Sequence, residues 1–184
     1  MKRTVVVLLC ATFAFLCWAK APLKPVTNTS RVEVYFSPKG GCTETVVREI
    51  GRARKSILVQ AYSFTSPAIA KALVEAKRRG LEVVIILDKS QRTEKYSAAD
   101  FVAHADIPTF IDTKHAIAHN KVIVIDGAIV LTGSFNFTTA AEEHNAENLL
   151  VLREADLAQR YRENWMVHQR HSERYGRQRM ARNR

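Results

Sequence analysis

Cysteine is scarce in this sequence of 184 residues, which contains three of them. Cys10 and Cys17 lie in an apolar N-terminal run that we expect to be removed, so the mature chain would keep Cys42 alone. A single cysteine excludes an intramolecular disulfide. Because Cys42 lies among helix-forming residues and a free cysteine packs as a small hydrophobe, we expect a buried thiol rather than an intermolecular bridge.

The apolar run at residues 4–18 is too short for a membrane span, which needs about 20 apolar residues. Two basic residues precede it and small residues follow at Ala19 and Ala21, the order typical of a secretory signal peptide. We therefore expect residues 1–21 to be a signal peptide, with cleavage after Ala19 or Ala21. An uncleaved anchor is the alternative. The expected product is periplasmic or secreted, with no stable membrane insertion after cleavage.

Acidic residues are outnumbered, at 18 Asp and Glu against 28 Lys and Arg, which gives a formal net charge of +10. This excess favours polyanionic partners, and both nucleic acid and anionic membrane surfaces meet that description. The C-terminal residues 174–184 form an arginine-rich tail. The tail is either a solvated, frayed terminus or an electrostatic arm that attracts a phosphate backbone.

Internal repeats are absent, and residues 22–30 form a polar stretch that suits a linker. From residue 31 onward, apolar runs of strand length alternate with segments of helical periodicity. The alternation predicts one α/β domain over residues 31–173, with a mostly buried mixed sheet and helices on both faces. Predicted strands are 32–36, 56–61, 82–87, 109–111, 121–125, 128–131 and 148–152, and predicted helices are 43–54, 67–80, 98–104, 138–143 and 154–171.

One stretch in the second half of the chain contains the residue types of a catalytic site. His119 and Lys121 are two residues apart in a predicted strand, so their side chains share one face. The turn dipeptide at 126–127 predicts an antiparallel return strand, which brings Ser134 and Asn136 close to that face. An imidazole, an ammonium, a hydroxyl and an amide would converge there. Such a group of side chains suits a tetrahedral anion with several oxygens.

The pattern His-x-Lys-x4-Asp-x6-Gly-Ser-x-Asn, which runs from His119 to Asn136, resembles the signature of the phospholipase D superfamily. Every fixed position of the signature is present. The similarity to the small bacterial endonucleases of this superfamily extends over roughly Val32 to Trp165, and it includes residues 61–66, 78–80, 87–88 and 145–148. The resemblance implies the single-domain phospholipase D-like fold and a reaction that needs no metal and no other cofactor.

The resemblance also implies a role for each polar residue of the signature. The histidine that matches His119 attacks phosphorus and forms a covalent phosphohistidine. The residues that match Lys121 and Asn136 bind the non-bridging oxygens, and the serine that matches Ser134 assists.

Two carboxylates complete the implied site. The aspartate that matches Asp126 is mainly structural and holds the turn and the neighbouring backbone. The glutamate that matches Glu147 is expected to hydrogen-bond an active-site histidine, which orients the imidazole and raises its basicity.

The signature occurs once in this chain, whereas the larger phospholipases carry two copies. The chemistry needs two histidines, a neutral one that attacks and a protonated one that protonates the leaving oxygen. One copy can supply both only where two chains meet about a twofold axis. The resemblance therefore implies a homodimer with one composite site, in which His119 of one chain is the nucleophile and its symmetry mate is the general acid.

The sequence is consistent with three functions. The leading one is a metal-independent endonuclease of low sequence specificity that hydrolyses DNA, with RNA as a further candidate substrate. The alternative is an exported phospholipase D-type hydrolase that acts on phospholipid head groups, although the sequence shows no long amphipathic docking segment. A non-catalytic nucleic-acid-binding protein is the third, and a complete set of catalytic residues argues against it.

Histidines outside the signature receive no role from the sequence. His115 precedes His119 by four residues, but the surrounding pattern is not helical and no cysteine or third histidine of suitable spacing accompanies it. We therefore expect a surface or supporting role for His115 and no metal site. The remaining histidines have no partner pattern; they are His104, His144, His168 and His171.

One acidic and four aromatic residues near the predicted site have structural interpretations, some of them with a functional alternative. Asp88 ends a predicted strand and is either functional or a cap for the next segment. Tyr62 and Phe64 alternate on a strand and are expected in the core, although an aromatic ring near the site could stack on a base. Phe135 and Phe137 flank Asn136 and are expected to pack beneath the site.

Overall fold

The structure, a computed structural model, describes residues 31–176. The expected signal peptide, the linker and the end of the basic tail lie outside the described residues. Eight strands are present: β1 Val32–Ser37, β2 Ser56–Ala61, β3 Glu82–Asp88, β4 Thr109–Asp112, β5 Lys121–Ile125, β6 Ile129–Gly133, β7 Glu147–Leu152 and β8 Glu173–Arg174. Five α-helices accompany them: α1 Cys42–Arg52, α2 Pro67–Arg78, α3 Ala99–His104, α4 Thr139–Glu143 and α5 Ala155–His171.

All eight strands belong to one mixed sheet in the order β1-β7-β6-β5-β2-β3-β4-β8. The neighbours β2, β3 and β4 are parallel, and the other pairs are antiparallel. The predicted α/β domain with a mixed sheet is confirmed. The carboxyl ends of β2, β3 and β4 meet at one edge of the sheet, because parallel strands end on the same side.

Apolar side chains cover both faces of the sheet, as the continuous apolar strands predict. On one face, α1, α2 and α3 contribute Val46, Leu73 and Val102 to the larger core cluster. On the other face, α5 packs Ala158 and Trp165 against a smaller cluster. The indole Nε1 of Trp165 donates a hydrogen bond to the carbonyl of Val59, 2.9 Å away, so α5 is also tied to the middle of the sheet.

The hairpin between β5 and β6 has the turn that its sequence predicts. Asp126 and Gly127 both have positive φ angles, 54° and 65°, and the amide of Ala128 donates to the carbonyl of Ile125. Positive φ at both central residues is the requirement of the type I′ turn. The turn fixes the register of the hairpin, so the end of β6 lies beside the start of β5.

Local signals at two helix starts are confirmed. The Ser66 hydroxyl accepts a hydrogen bond from the amide of Ile69, and Pro67 is the first residue of α2. Cys42 begins α1 and is fully buried, as expected for an unpaired thiol. Burial raises the pKa of Cys42 to about 12, and the negative charges of Glu142 and Glu147 act in the same direction.

Strand β8 crosses the boundary that the sequence predicts between the folded domain and the basic tail. It pairs with β4, where Arg174 lies opposite Phe110. The hydroxyl of Tyr175 then donates a hydrogen bond to Asp100 of α3. The folded domain therefore continues beyond residue 173. Among the described residues, no helix combines the length and the apolarity that a bilayer crossing requires.

Candidate active site

Five of the residues singled out in the sequence surround one open cavity of about 340 Å³. They come from the start of β5, the end of β6 and the start of β7, which all lie at one edge of the sheet. This is the edge where β2 ends, since Ala61 lies opposite Lys121 in the β2–β5 pair. The lining residues are His119, Lys121, Gly133, Ser134, Asn136 and Glu147.

His119 and Lys121 form the closest polar pair of the cavity. Lys121 is the first residue of β5 and is 6% exposed, whereas His119 lies two residues before the strand and is exposed. The expectation that both residues belong to one strand is therefore wrong, because the pairing of β5 with its neighbours begins only at Lys121. The ammonium Nζ of Lys121 nevertheless donates a hydrogen bond to Nε2 of His119 over 2.9 Å. Since an ammonium has no acceptor, Nε2 carries the lone pair in this contact.

Tyr62 packs beside this pair rather than in the core. Its ring centroid lies 4.5 Å from that of His119, and Lys121 Nζ lies 5.1 Å from the Tyr62 ring. The expectation of a core position is wrong for Tyr62, which is half-buried, and confirmed for Phe64, which is fully buried. Burial lowers the pKa of Lys121 below its ordinary value, although the carboxylate of Glu147 opposes the shift.

Ser134 and Asn136 add polar groups to the same wall. The Ser134 hydroxyl accepts hydrogen bonds from the amide of Asn148, at 3.0 Å, and from its side-chain Nδ2. The Oδ1 atom of Asn136 is buried without a hydrogen-bond partner in residues 31–176. Because the two ends of a carboxamide are exchanged by a flip, Asn136 offers either an acceptor or a donor to a bound group. An unsatisfied buried amide at a cavity wall indicates a polar ligand.

Gly133 is required by the close approach of two strands. Its φ angle is 142°, and a Cβ atom there would lie 2.3 Å from the carbonyl oxygen of Asn148. The backbone of β6 can approach β7 this closely only without a side chain at residue 133. This approach aligns Ser134 with Asn148 and thereby fixes the wall of the cavity.

Glu147 begins β7 and lines the cavity, but it makes no hydrogen bond to His119 within the described chain. Its Oε1 accepts from Nδ2 of Asn145, 3.3 Å away. The expected hydrogen bond between Glu147 and an active-site histidine is therefore not formed inside a single chain. It stays a prediction for the homodimer.

Asp126 lies at the opposite end of β5 and does not line the cavity. Its carboxylate accepts hydrogen bonds from the backbone amides of Arg54, Lys55 and Ser56, at 2.7–3.0 Å. Burial raises the pKa of Asp126, but these three donors outweigh it and hold the pKa below its ordinary value. The residue fastens the hairpin turn to the segment before β2, which is the structural role that the resemblance implies.

Asp88 supports the segment that leads to His119. It is 3% exposed, and its two carboxylate oxygens accept hydrogen bonds from the amides of Ser90 and Ala118. The sequence left two roles open for Asp88, a functional group or a cap. The structure shows the cap on a short 3-10 helix at Lys89–Arg92, and a second bond that holds the backbone one residue before His119.

The expectation that His115 lacks histidine partners is wrong. His168 and His171, one turn apart on α5, lie beside His115, and all three imidazoles approach the carboxylate of Asp112. These four residues, the Asp112 cluster, form two pairs that are far apart in the sequence, and the packing of α5 against β4 brings the pairs together. Burial raises the pKa of Asp112, but hydrogen bonds from His168 and His115 and the nearby imidazole of His171 lower it to below its ordinary value.

Comparisons with known proteins agree with this fold. Residues 46–166 match the family model described as "Cardiolipin synthase, PLD-like domain". A protein named phospholipase D from Rickettsia bellii is 44% identical over 139 residues, which cover 76% of this chain and 69% of that protein. The crystal structure of Nuc from Salmonella typhimurium, a phospholipase D family member, has 41% identity and a TM-score of 0.75, with 78% of this chain and 97% of that chain covered.

NucT from Helicobacter pylori has the same fold, with a TM-score of 0.72 at 23% identity over 78% of this chain and 98% of that chain. The fold and the cavity define a hydrolase of phosphodiester bonds. The chain belongs to the phospholipase D superfamily, as a Nuc-like member.

Proposed function

We propose that this chain is a metal-independent endonuclease of low sequence specificity that hydrolyses DNA, with RNA as a further substrate. In this proposal, His119 forms a covalent phosphohistidine at a site shared by two subunits. The observation that carries it is the contact between Lys121 Nζ and His119 Nε2, at 2.9 Å inside the open cavity. Cleavage of a phosphodiester bond needs such a pair, a buried cation beside an unprotonated imidazole nitrogen.

In the first step, a phosphodiester oxygen replaces His119 as the acceptor for Lys121. The freed lone pair of Nε2 then attacks phosphorus, the P–N bond forms and the P–O bond to the leaving sugar breaks. The proton of the second histidine goes to the leaving oxygen. Lys121 and Asn136 stabilise the negative charge that develops on the non-bridging oxygens, because they are fixed donors in a partly desolvated wall.

In the second step, water attacks phosphorus and the P–N bond breaks. The water proton passes to the second histidine, which is neutral after the first step, and a phosphomonoester leaves. Both imidazoles return to their starting states, so the atoms and protons balance over the cycle. The charge that metal ions supply in other phosphodiesterases comes here from Lys121 and from amide and hydroxyl donors.

Homodimerisation is part of the proposal because the reaction needs two catalytic histidines and the single signature of one chain supplies only His119. His119 is exposed at the mouth of the cavity, where a twofold axis could bring it opposite the partner's His119. Glu147 has a free oxygen at the same mouth and makes no hydrogen bond to His119 within residues 31–176. In the proposed dimer it orients the partner's His119.

Nucleic acid is favoured as the substrate by the net charge of +10 and by the open form of the cavity. An exported phospholipase D-type hydrolase acting on phospholipid head groups is the second candidate. Two observations favour it: the names of the Rickettsia relatives, and Ile117, which is 58% exposed two residues before His119. For either substrate we propose a periplasmic or secreted enzyme, on the basis of residues 1–21.

The deciding experiment incubates the purified mature chain with plasmid DNA, single-stranded RNA or phospholipid vesicles, each with excess EDTA. Cleavage of the plasmid by the wild-type chain but not by His119→Ala supports the proposed nuclease. His104→Ala is the matched control, since His104 lies on α3 and outside the cavity. Release of head groups without cleavage of nucleic acid supports the second candidate and overturns the first.

A further inference from the structure

The Asp112 cluster is a second group of side chains that can bind a ligand, one carboxylate and three imidazoles, and it does not line the cavity that contains His119. Asp112 ends β4, His115 follows in the next loop, and His168 and His171 lie on the last turn of α5. The Asp112 side chain is fully buried, and those of His168 and His171 are 15% and 20% exposed. His115, at 42%, is the most exposed member.

The donor atoms of the cluster converge on one point. Asp112 oxygens lie 3.0 Å from Nδ1 of His115, 2.7 Å from Nδ1 of His168 and 3.3 Å from Nε2 of His171. No two of the four ligand atoms are more than 4.8 Å apart. A tetrahedral zinc ion with bonds of about 2.0–2.1 Å spaces its ligand atoms roughly 3.3–3.4 Å apart, so small side-chain rotations close the site.

Hydrogen bonding inside the cluster does not satisfy all of its members. The buried Nε2 atom of His171 has no hydrogen-bond partner in residues 31–176, because its contact with Asp112 lacks suitable hydrogen-bond geometry. The three imidazole rings also lie 4.9–5.4 Å apart, centroid to centroid. Three imidazoles and one carboxylate packed this closely are a set of donors that suits a divalent cation.

We propose that Asp112, His115, His168 and His171 bind one zinc ion. Three imidazole nitrogens and one carboxylate oxygen are among the donors that zinc prefers. Four protein ligands leave no open position, so the ion has a structural role and not a catalytic one. It joins the C-terminal end of α5 to β4 and to the loop that leads from Asp112 to His119.

This site is independent of the proposed nuclease reaction, which uses no metal. A structural zinc holds the segment before His119 in place, as Asp88 does through its bond to Ala118. The pair His168 and His171 supplies two ligands from one face of a helix, since residues three apart are neighbours there. The site therefore depends on the docking of α5, and its loss would loosen that docking first.

The test is zinc titration of the untagged mature chain after it has been stripped with a strong chelator. We expect one equivalent of zinc to bind, and a saturating excess to raise the melting temperature by roughly 5–10 °C. Cobalt in place of zinc should give the visible absorption bands of a tetrahedral site. His171→Asn and His115→Asn should each remove the stoichiometric binding and the thermal shift, and His104→Asn should retain both.

His115→Asn keeps the test valid if His171→Asn fails to fold, because His115 lies in an exposed loop. A stripped wild-type chain that binds no stoichiometric zinc and shows no thermal shift would overturn the proposal. So would equal zinc binding by His115→Asn and the wild type. Nuclease activity is measured on the stripped chain in parallel, at a temperature where it is folded. Activity of the stripped, folded chain supports the metal-free reaction, and zinc binding alone decides this site.

Discussion

The ammonium group of Lys121 donates a hydrogen bond to Nε2 of His119 over 2.9 Å. The two groups that would act on one phosphate are therefore in contact before any substrate binds. Lys121 is buried at the start of β5, and the half-buried ring of Tyr62 packs against both side chains. A phosphate oxygen that takes this hydrogen bond would lie between the cation and the nucleophile.

Replacement of Lys121 by methionine tests the role of this cation. The substitution keeps most of the buried volume and removes the charge, so we expect kcat/KM for plasmid cleavage to fall by about 100-fold or more. Lys71→Met, on the exposed surface of α2, is the control and should cleave at nearly the wild-type rate. Circular dichroism checks that both variants are folded. Activity of Lys121→Met within about threefold of the wild type would rule out an electrostatic role for Lys121.

Gly133→Ala tests the close approach of β6 and β7. The added Cβ would meet the carbonyl oxygen of Asn148 at 2.3 Å, in a backbone conformation with φ of 142°. We expect the free energy of unfolding in urea to fall by about 2 kcal/mol or more. Gly51→Ala in α1 is the matched control, because its Cβ would meet no atom within 4 Å, and it should stabilise the chain by about 0.5–1 kcal/mol. Equal effects of the two substitutions would contradict this account.

Asp126→Asn tests the turn between β5 and β6, with a defined pH dependence. Burial raises the pKa of Asp126, but hydrogen bonds from three backbone amides outweigh it, so the folded value is below the ordinary 3.8. The ionised carboxylate therefore stabilises the fold above pH 3.8, and this contribution is lost as the pH falls through the lowered pKa.

At pH 7 we expect Asp126→Asn to lower the free energy of unfolding by about 1–3 kcal/mol. The difference from the wild type should shrink below about pH 4. Glu94→Gln, at an exposed position, should differ little from the wild type at either pH. A deficit of Asp126→Asn that grows on acidification would show that the carboxylate is not stabilised in its charged form.

Mixed dimers test whether two copies of His119 serve one site. Equal amounts of wild-type and His119→Ala chains are unfolded together and refolded. If both histidines are needed, only wild-type dimers are active, and random pairing leaves about one quarter of the activity of the same total amount of wild-type chain. Independent sites would leave about one half. Gel filtration of the wild type at the assay concentration must also show the mass of a dimer, and an active monomer would contradict the composite site.

Local sequence signals predicted much of the fold and most of the cavity. The dipeptide Asp126–Gly127 defined the hairpin turn, and that turn is what brings Ser134 and Asn136 to Lys121. The hydroxyl of Ser66 and the ring of Pro67 defined the start of α2. Each of these signals acts within a few residues, and for that reason one sequence suffices to recognise it.

The sequence patterns do not predict the features that depend on long-range packing. Strand β8 contains two charged residues and has no apolar pattern, so only its pairing with β4 defines it. His168 and His171 have the spacing of neighbours on a helix, but their approach to Asp112 follows from the docking of α5. The sequence predicts a core position for Tyr62 because alternation in a strand indicates which face of the sheet a side chain lies on. Alternation does not show where the strand ends, and β2 ends at Ala61, just before Tyr62.

The central claim, that His119 is the nucleophile, is tested most directly by trapping its covalent intermediate. The wild-type chain is mixed with labelled DNA in EDTA, quenched within milliseconds in denaturant at alkaline pH and digested with protease. We predict that label is bound to the peptide that contains His119 through an acid-labile bond, and that His119→Ala shows none. Cleavage of DNA at the normal rate with no protein-bound label at any quench time, or with label on another residue, would contradict the account.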